Sequence, residues 1–145
     1  MTNERPPFRA DHVGSLLRPP ELLRAREQHQ QATLSAESLR EVEDRAIRDV
    51  AKLQEEIGLQ GITDGEYRRT IWHADFLRQI EGVSVKEGVA DSAGVARKFQ
   101  SGSQEIQRSP TRFEIAGRLN RARGIETDNF KYLQSVTQRT AKLCI

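Results

Sequence analysis

The sequence predicts an α/β fold built on parallel strands, and three observations carry that prediction. Between Ser35 and Ile57, apolar residues return at Leu39, Val42, Ala46, Val50, Leu53 and Ile57, the spacing of one helical face. Gly58 stops that run and a short apolar stretch, Leu59 to Thr63, follows it, while Phe8 to Ser15 reads as a strand ahead of it. Strand, helix, strand in this order is a right-handed crossover, which joins parallel neighbours.

Taken in order, the opening strand ends at Gly14, and Leu16 to Pro20 turns the chain. Pro20 suits the first position of a helix, Glu21 to Gln31, where its missing N–H costs nothing. Ser35 is the expected N-cap of the long helix, with Glu37 favourable in its first turn and Gly58 as the left-handed residue that ends it. Glu41 with Arg45, and Asp44 with Arg48, are expected as solvated i,i+4 pairs. Trp72 to Ile80 reads as a short helix with Trp72 and Phe76 in the core. Glu81 to Ser109, rich in Gly and Ser, reads as an excursion, with Val95 to Gln100 expected to pair with Arg112 to Leu119 as an antiparallel ribbon. Thr127 is expected to cap a helix bearing Phe130, Leu133 and Val136, and Ala141 to Ile145 to form a third buried strand. The sequence stops inside that run, so it reads as interrupted.

Composition narrows the function. A length of 145 residues allows one domain. The net charge is +2 and the basic residues are scattered, without the stripe that a nucleic-acid partner requires. Cys144 is the single cysteine, which rules out an internal disulfide and suits a reducing compartment. The segment Met1 to Pro7 lacks the apolar run of a signal peptide, and no stretch approaches the ~18 apolar residues of a membrane span. A cytoplasmic location is expected, with neither nucleic acid nor membrane as partner.

Chemistry concentrates between Gly58 and Trp72. There a strand runs into Asp64, Gly65 and Glu66 and then Arg68 and Arg69, which places charge at the carboxyl end of a strand. Loops at that end of parallel strands meet ligands in α/β proteins. Glu66 has two readings: a ligand-binding carboxylate, or a turn residue that caps the next helix or pairs with Arg68 or Arg69. Gly14 and Ser15 can close a strand or allow a ligand close to the backbone. His12 and His73 lie near the same mouth without a partner at metal-ligand spacing, and His29 sits in a polar helix. Arg18, Arg68 and Arg69 either meet a carboxylate ligand or brace Asp64 and Glu66.

The stretches Phe8 to Pro19, Gln54 to Leu59, Thr63 to Arg69, Trp72 to Leu77 and Ala141 to Ile145 resemble the cobalamin-independent methionine synthase family, especially its short single-barrel members. His12-Val13-Gly14-Ser15 and Thr63-Asp64-Gly65-Glu66 are the most specific matches, and the resemblance is weakest between Gly82 and Pro110. It implies a partial (β/α)8 TIM barrel, about the first three β/α units with a small β-ribbon excursion, the whole of 1–145 being the N-terminal part of such a barrel. It also implies methyl transfer from a methylated folate or simpler donor to the homocysteine thiol, with Val13, Gly14 and Ser15 contacting the acceptor and Glu66 binding its ammonium group. His12, Asp64 and His73 are further candidate substrate contacts.

The family's zinc ion holds the acceptor as a thiolate, which a thiol of ordinary pKa does not form in quantity at neutral pH. The resemblance places its ligands on later strands that this chain lacks, and Cys144 matches none of them, so the chain alone is expected to be inactive. Two rivals stand beside this reading. One is a thiol alkyltransferase of the epoxide:coenzyme M type; the other is a non-catalytic binding or assembly module that self-associates, or takes a complementing chain, through open sheet edges.

Overall fold

Residues 12–86, 97–101, 104–108 and 112–144 are described by the structure, a computed structural model. The chain divides into two compact units: one runs to Arg69 and resumes at Glu126, and the other is Thr70–Ile125.

In the first unit, Pro20 opens helix α1 (Pro20–Gln30) as expected. Helix α2 (Ala36–Glu56) starts where the Ser35 hydroxyl accepts the Ser38 amide at 3.1 Å, and Gly58 leaves it at φ +92°. Strand β1 (Gly61–Ile62) follows, and after the second unit come helix α4 (Thr127–Val136) and strand β6 (Thr140–Ala141). β1 and β6 pair in parallel, Gly61 opposite Thr140 and Ile62 opposite Ala141, as a parallel sheet requires; of the third strand expected at Ala141 to Ile145, only Ala141 is ladder-paired, Leu143 is exposed and Ile145 lies outside the described residues. Leu22, Ile47, Val50, Ala51, Ile62 and Leu133 form the core between helices and sheet. Full burial of each larger side chain there is worth about 1.5–3 kcal/mol.

Several details differ from expectation. The inner face of α2 carries Glu43, Ala46, Ile47, Val50, Ala51 and Gln54, whereas Leu53 and Ile57 are 54% and 67% exposed. The helix is therefore rotated so that its last turns present an amide inward. Asp44 meets Arg40 and Arg68, Arg45 meets Glu21, and Arg48 donates to the Tyr132 hydroxyl, in place of the expected i,i+4 pairs. Long side chains find partners on neighbouring helices when these are within reach. The expected strand Leu59 to Thr63 is ladder-paired only at Gly61–Ile62. Phe8 to Asp11 lie outside the described residues, and His12 to Ser15 form no strand; the carbonyls of His12 and Gly14 accept instead from the Lys142 ammonium and the Thr63 hydroxyl. Thr127 is the first helical residue rather than the cap; Glu126 precedes it at φ +61° without a side-chain cap bond.

The second unit holds helix α3 (Trp72–Leu77), shorter than expected, and strands β2 (Glu81–Lys86), β3 (Arg97–Ser101), β4 (Gln104–Arg108) and β5 (Arg112–Asn120). β3 pairs with β4, and β5 with β2, both antiparallel. The ribbon expected between Val95 to Gln100 and Arg112 to Leu119 is thus replaced by two ribbons, and Val95 and Ala96 lie outside the described residues. β3 and β4 are close enough in sequence for the cheaper local closure. Phe113, Ile115 and Leu119 fall at a spacing of two along β5 with Gly117 interrupting, yet Ile115 and Leu119 are 74% and 51% exposed, so this alternation does not mark a buried face. Phe76 is half-buried, and the side chain of Trp72 lies outside the description. No helix among the described residues is long and apolar enough to cross a membrane.

Candidate functional site

β1 ends at Ile62, and the way the chain leaves it builds the site. Residues along a strand alternate the flank to which their main-chain groups point. The carbonyls of Gln60 and Ile62 accept from Thr140 and Lys142 of the β6 segment, so Thr63 faces the opposite flank. There Gln54 of α2 meets it: Gln54 Nε2 donates to the Thr63 carbonyl at 2.8 Å, and the Thr63 N–H donates to Gln54 Oε1 at 3.0 Å. The second Nε2 proton goes to the Val50 carbonyl at 3.0 Å. Gln54 is 2% exposed and Thr63 fully buried, and this pairing satisfies groups whose burial would otherwise be costly.

The Thr63 hydroxyl then joins two loops. It donates to the Gly14 carbonyl at 2.8 Å and accepts the Gly65 amide at 3.3 Å. The Leu16 amide donates to the Gly65 carbonyl at 3.1 Å, and the Tyr67 hydroxyl to the Leu17 carbonyl at 2.9 Å. Asp64 Oδ1 accepts the Glu66 amide at 3.0 Å, fixing the tight turn. Glu66 itself stands at φ +58°, a left-handed conformation that costs a non-glycine residue about 1 kcal/mol or more. Strain of this kind persists where the surroundings over-determine it, and it clusters at functional sites.

The arginines brace this turn through its carbonyls. Arg18 donates to the carbonyls of Glu66 at 2.9 Å and Arg69 at 2.6 Å, and Arg26 to that of Arg69 at 2.8 Å. Arg68 is held by Glu43 and Asp44 and lies 5.0 Å over the Tyr132 ring. Arg69 pairs with Glu126 at 3.7 Å and donates to the Cys144 carbonyl. Neither Arg68 nor Arg69 pairs with Glu66, and the amides of Thr70 and Ile71 are taken by Asp75 of α3 itself. Glu66 is thus a residue of the turn whose side chain neither pairs with Arg68 or Arg69 nor caps α3. Among the described residues its half-buried carboxylate has no cation partner.

Cys144, just beyond β6, closes the site's floor. Its Sγ lies 3.6 Å from the Val13 carbonyl, and a Cβ built on Gly14, at φ +118°, would sit 2.0 Å from that sulfur. Burial pushes the Cys144 thiol up, and the negative charges of Asp64 and then Glu66 push it further, against Arg69 and Lys142. The two carboxylates and the thiol therefore share one electrostatic neighbourhood.

Of the residues singled out in the sequence, the structure brings Val13, Gly14, Asp64 and Glu66 together around this turn. Val13 is 89% exposed and Ser15 is exposed beside Gly14. The half-buried His12 gives its carbonyl to Lys142 Nζ. His73 lies in α3 of the second unit, its side chain outside the description. Gln54, Thr63, Tyr67 and Cys144 were not singled out as members of the site. Thr63 was read only as part of the motif running to Glu66, and Gln54, one step off the apolar stripe in the last turn of α2, gave no signal of its own. Among the described residues no group of three or more His, Cys, Asp or Glu side chains has a metal-holding arrangement, so these residues do not fit a zinc ion. A cavity of about 210 Å3 lies between Leu17, Pro19, Tyr67 and the Ala46, Val50 and Leu53 face of α2; none of Gly14, Ser15, Asp64 and Glu66 lines it.

No family model matches the chain. It is 49% identical over 77 residues to the uncharacterized protein YxjH of Bacillus subtilis, 53% of this chain and 20% of that protein. Over 137 residues, 94% of this chain and 17% of the relative, it is 26% identical to the 5-methyltetrahydropteroyltriglutamate-homocysteine methyltransferase of Thermotoga maritima. A crystal structure of a Listeria monocytogenes protein assigned as a vitamin-B12 independent methionine synthase matches with a TM-score of 0.69 and 33% identity, over 96% of this chain and 36% of that one. The chain spans about a fifth of the length of the curated relatives it matches.

Proposed function

We propose that this chain, which is related to the cobalamin-independent methionine synthase-like family, forms the acceptor-binding part of a methyltransferase barrel. In this reading it supplies about the first three β/α units, and its acceptor is an amino acid thiol, homocysteine. Glu66 holds the acceptor's ammonium group, while the main chain of Val13, Gly14 and Ser15 and the Ser15 hydroxyl line the opposite wall.

The observation that carries this reading is the state of Glu66. Its backbone is held in a left-handed turn by Asp64 and Arg18, while its carboxylate has no cation partner among the described residues and the nearby arginines are committed elsewhere. A carboxylate fixed in this way offers a charge-assisted hydrogen bond to an ammonium group, and this distinguishes an amino acid from a plain thiol. Cys144 is no rival nucleophile, because its raised pKa keeps it a thiol at neutral pH. In the transfer, the acceptor thiolate forms a sulfur–carbon bond as the methyl group leaves a methylated folate or a simpler donor. In a complete family member, zinc would hold the acceptor's own sulfur as the thiolate.

Calorimetry on this chain with L-homocysteine and with coenzyme M tests the reading. L-homocysteine is expected to bind the more tightly, and Glu66→Gln to weaken it by about tenfold or more, as loss of a charge-assisted bond does. Equal affinities in the wild-type and Glu66→Gln chains, or preference for coenzyme M, would overturn it.

A further inference from the structure

We infer that Gln54 and Thr63 form a positioning pair that sets the amino acid selectivity of the site by holding its two loops in register. This inference rests on the acceptor-binding reading and deepens it, since neither residue touches the acceptor.

Every polar group of the pair is committed. Gln54 uses its oxygen and both amide protons on the Thr63 N–H, the Thr63 carbonyl and the Val50 carbonyl. With its main chain held, the Thr63 hydroxyl has one proton, directed to the Gly14 carbonyl at 2.8 Å, and lone pairs that receive the Gly65 amide at 3.3 Å. One oxygen therefore sits between the loop that carries Val13, Gly14 and Ser15 and the loop that carries Asp64 and Glu66. The Leu16 amide and the Tyr67 hydroxyl join the same loops further along. With these two bonds the Thr63 hydroxyl holds Gly65, the residue before Glu66, at both its amide and its carbonyl. A side chain anchored by three bonds transmits no slack, and sub-ångström changes in such a support shift the groups it carries.

The consequence is separable from stability. Without the hydroxyl, the Gly14 carbonyl and Gly65 amide lose a shared partner, and the distance from the Glu66 carboxylate to the opposite wall is held less tightly, although Asp64 and Arg18 still hold the turn itself. Binding of the acceptor's thiol end does not depend on that distance, but recognition of its ammonium group does. Loss of the pair should therefore reduce discrimination between L-homocysteine and 4-mercaptobutanoate, the same molecule without its amino group.

The test measures the affinity of the full chain for both thiols by calorimetry, in the wild type and in Thr63→Val, Thr63→Ser and Glu66→Gln, with a thermal melt of each. Thr63→Val keeps the shape and removes the oxygen, and is expected to lower the ratio of the two affinities by about tenfold, the scale of one lost hydrogen bond. Thr63→Ser keeps the oxygen and should retain the wild-type ratio even if its melting temperature falls. A purely structural role would lower both affinities together and leave the ratio in place, which would overturn the inference. If Thr63→Val does not melt cooperatively, Gln54→Met replaces it, removing the clamp without touching either loop; an unchanged ratio there overturns the inference equally. Glu66→Gln separates the two levels. If it collapses the ratio and Thr63→Val does not, the positioning role fails alone; if Glu66→Gln leaves the ratio intact, or the wild type binds neither thiol, the acceptor-binding reading fails and this inference with it.

Discussion

The sulfur of Cys144 occupies the space in which any residue other than glycine at position 14 would place its Cβ, 2.0 Å from Sγ. Two residues near opposite ends of the chain are thereby fitted to each other, and the match has a direct mechanical test. Gly14→Ala adds both this clash and a left-handed backbone strain at φ +118°, and should cost about 1–3 kcal/mol of stability by urea unfolding. Cys144→Ala removes the sulfur, leaving the nearest atom, Thr63 Cγ2, at 3.3 Å from such a Cβ, so the double variant should recover part of the loss. Strict additivity of the two changes would show that the clash is relieved in some other way.

The thiol also reports on the carboxylates. Burial, Asp64 and Glu66 all raise its pKa, in that order. Asp64→Asn and Glu66→Gln should each lower it, Asp64→Asn by more, and speed iodoacetamide labelling of the folded chain at a fixed mildly alkaline pH. Because the folded pKa lies above the unfolded one, the thiol's contribution to stability is complete below the unfolded thiol value and disappears as pH rises through the folded value. Labelling curves that coincide for all three chains would show that the carboxylates do not face Cys144.

Arg68 should be far more sensitive than an exposed arginine. It is held between Glu43 and Asp44 and over Tyr132, and Glu43 is only 7% exposed. Arg68→Ala leaves a buried carboxylate short of its main partner, a change that costs about 3–5 kcal/mol in such settings. Burial already raises the Glu43 pKa, and Arg68 is the foremost charge holding it down. Its removal raises that pKa further, so the deficit should be largest at neutral pH and shrink in acid, where the carboxyl takes up a proton. A deficit that does not change with pH would assign the effect to packing on Tyr132.

Tyr67→Phe removes the donor to the Leu17 carbonyl while keeping the buried ring. A loss of about 1 kcal/mol is expected on unfolding. No loss would mean that solvent satisfies the carbonyl equally well.

How much of this could be read in advance depended on how local the cause was. α1, α2, Gly58 and the parallel partner strand followed from periodicity, a serine cap and a glycine, all signals carried within a few residues. The ribbons did not, because pairing of Glu81–Lys86 with Arg112–Asn120 is settled by tertiary closure and not by the weak alternation of β5. The turn at Asp64 to Glu66 was legible as a charged loop after a strand. The parts played by Gln54 and Thr63 were not, because a glutamine near the end of a helix reads as solvated until the helix's rotation is known. Arg68 and Arg69 were ambiguous for the same reason: only the fold shows that their carboxylate partners come from α2 and from the residue before α4.

The amide of Gln54 has one more effect, on how strands can associate. It occupies both main-chain groups of Thr63 on the flank away from β6, so a side chain takes the place of a strand there. An intruding strand could pair with Thr63 only by first evicting a buried, fully bonded glutamine, so templated growth of the kind that leads to aggregation is blocked at the residue nearest the binding turn.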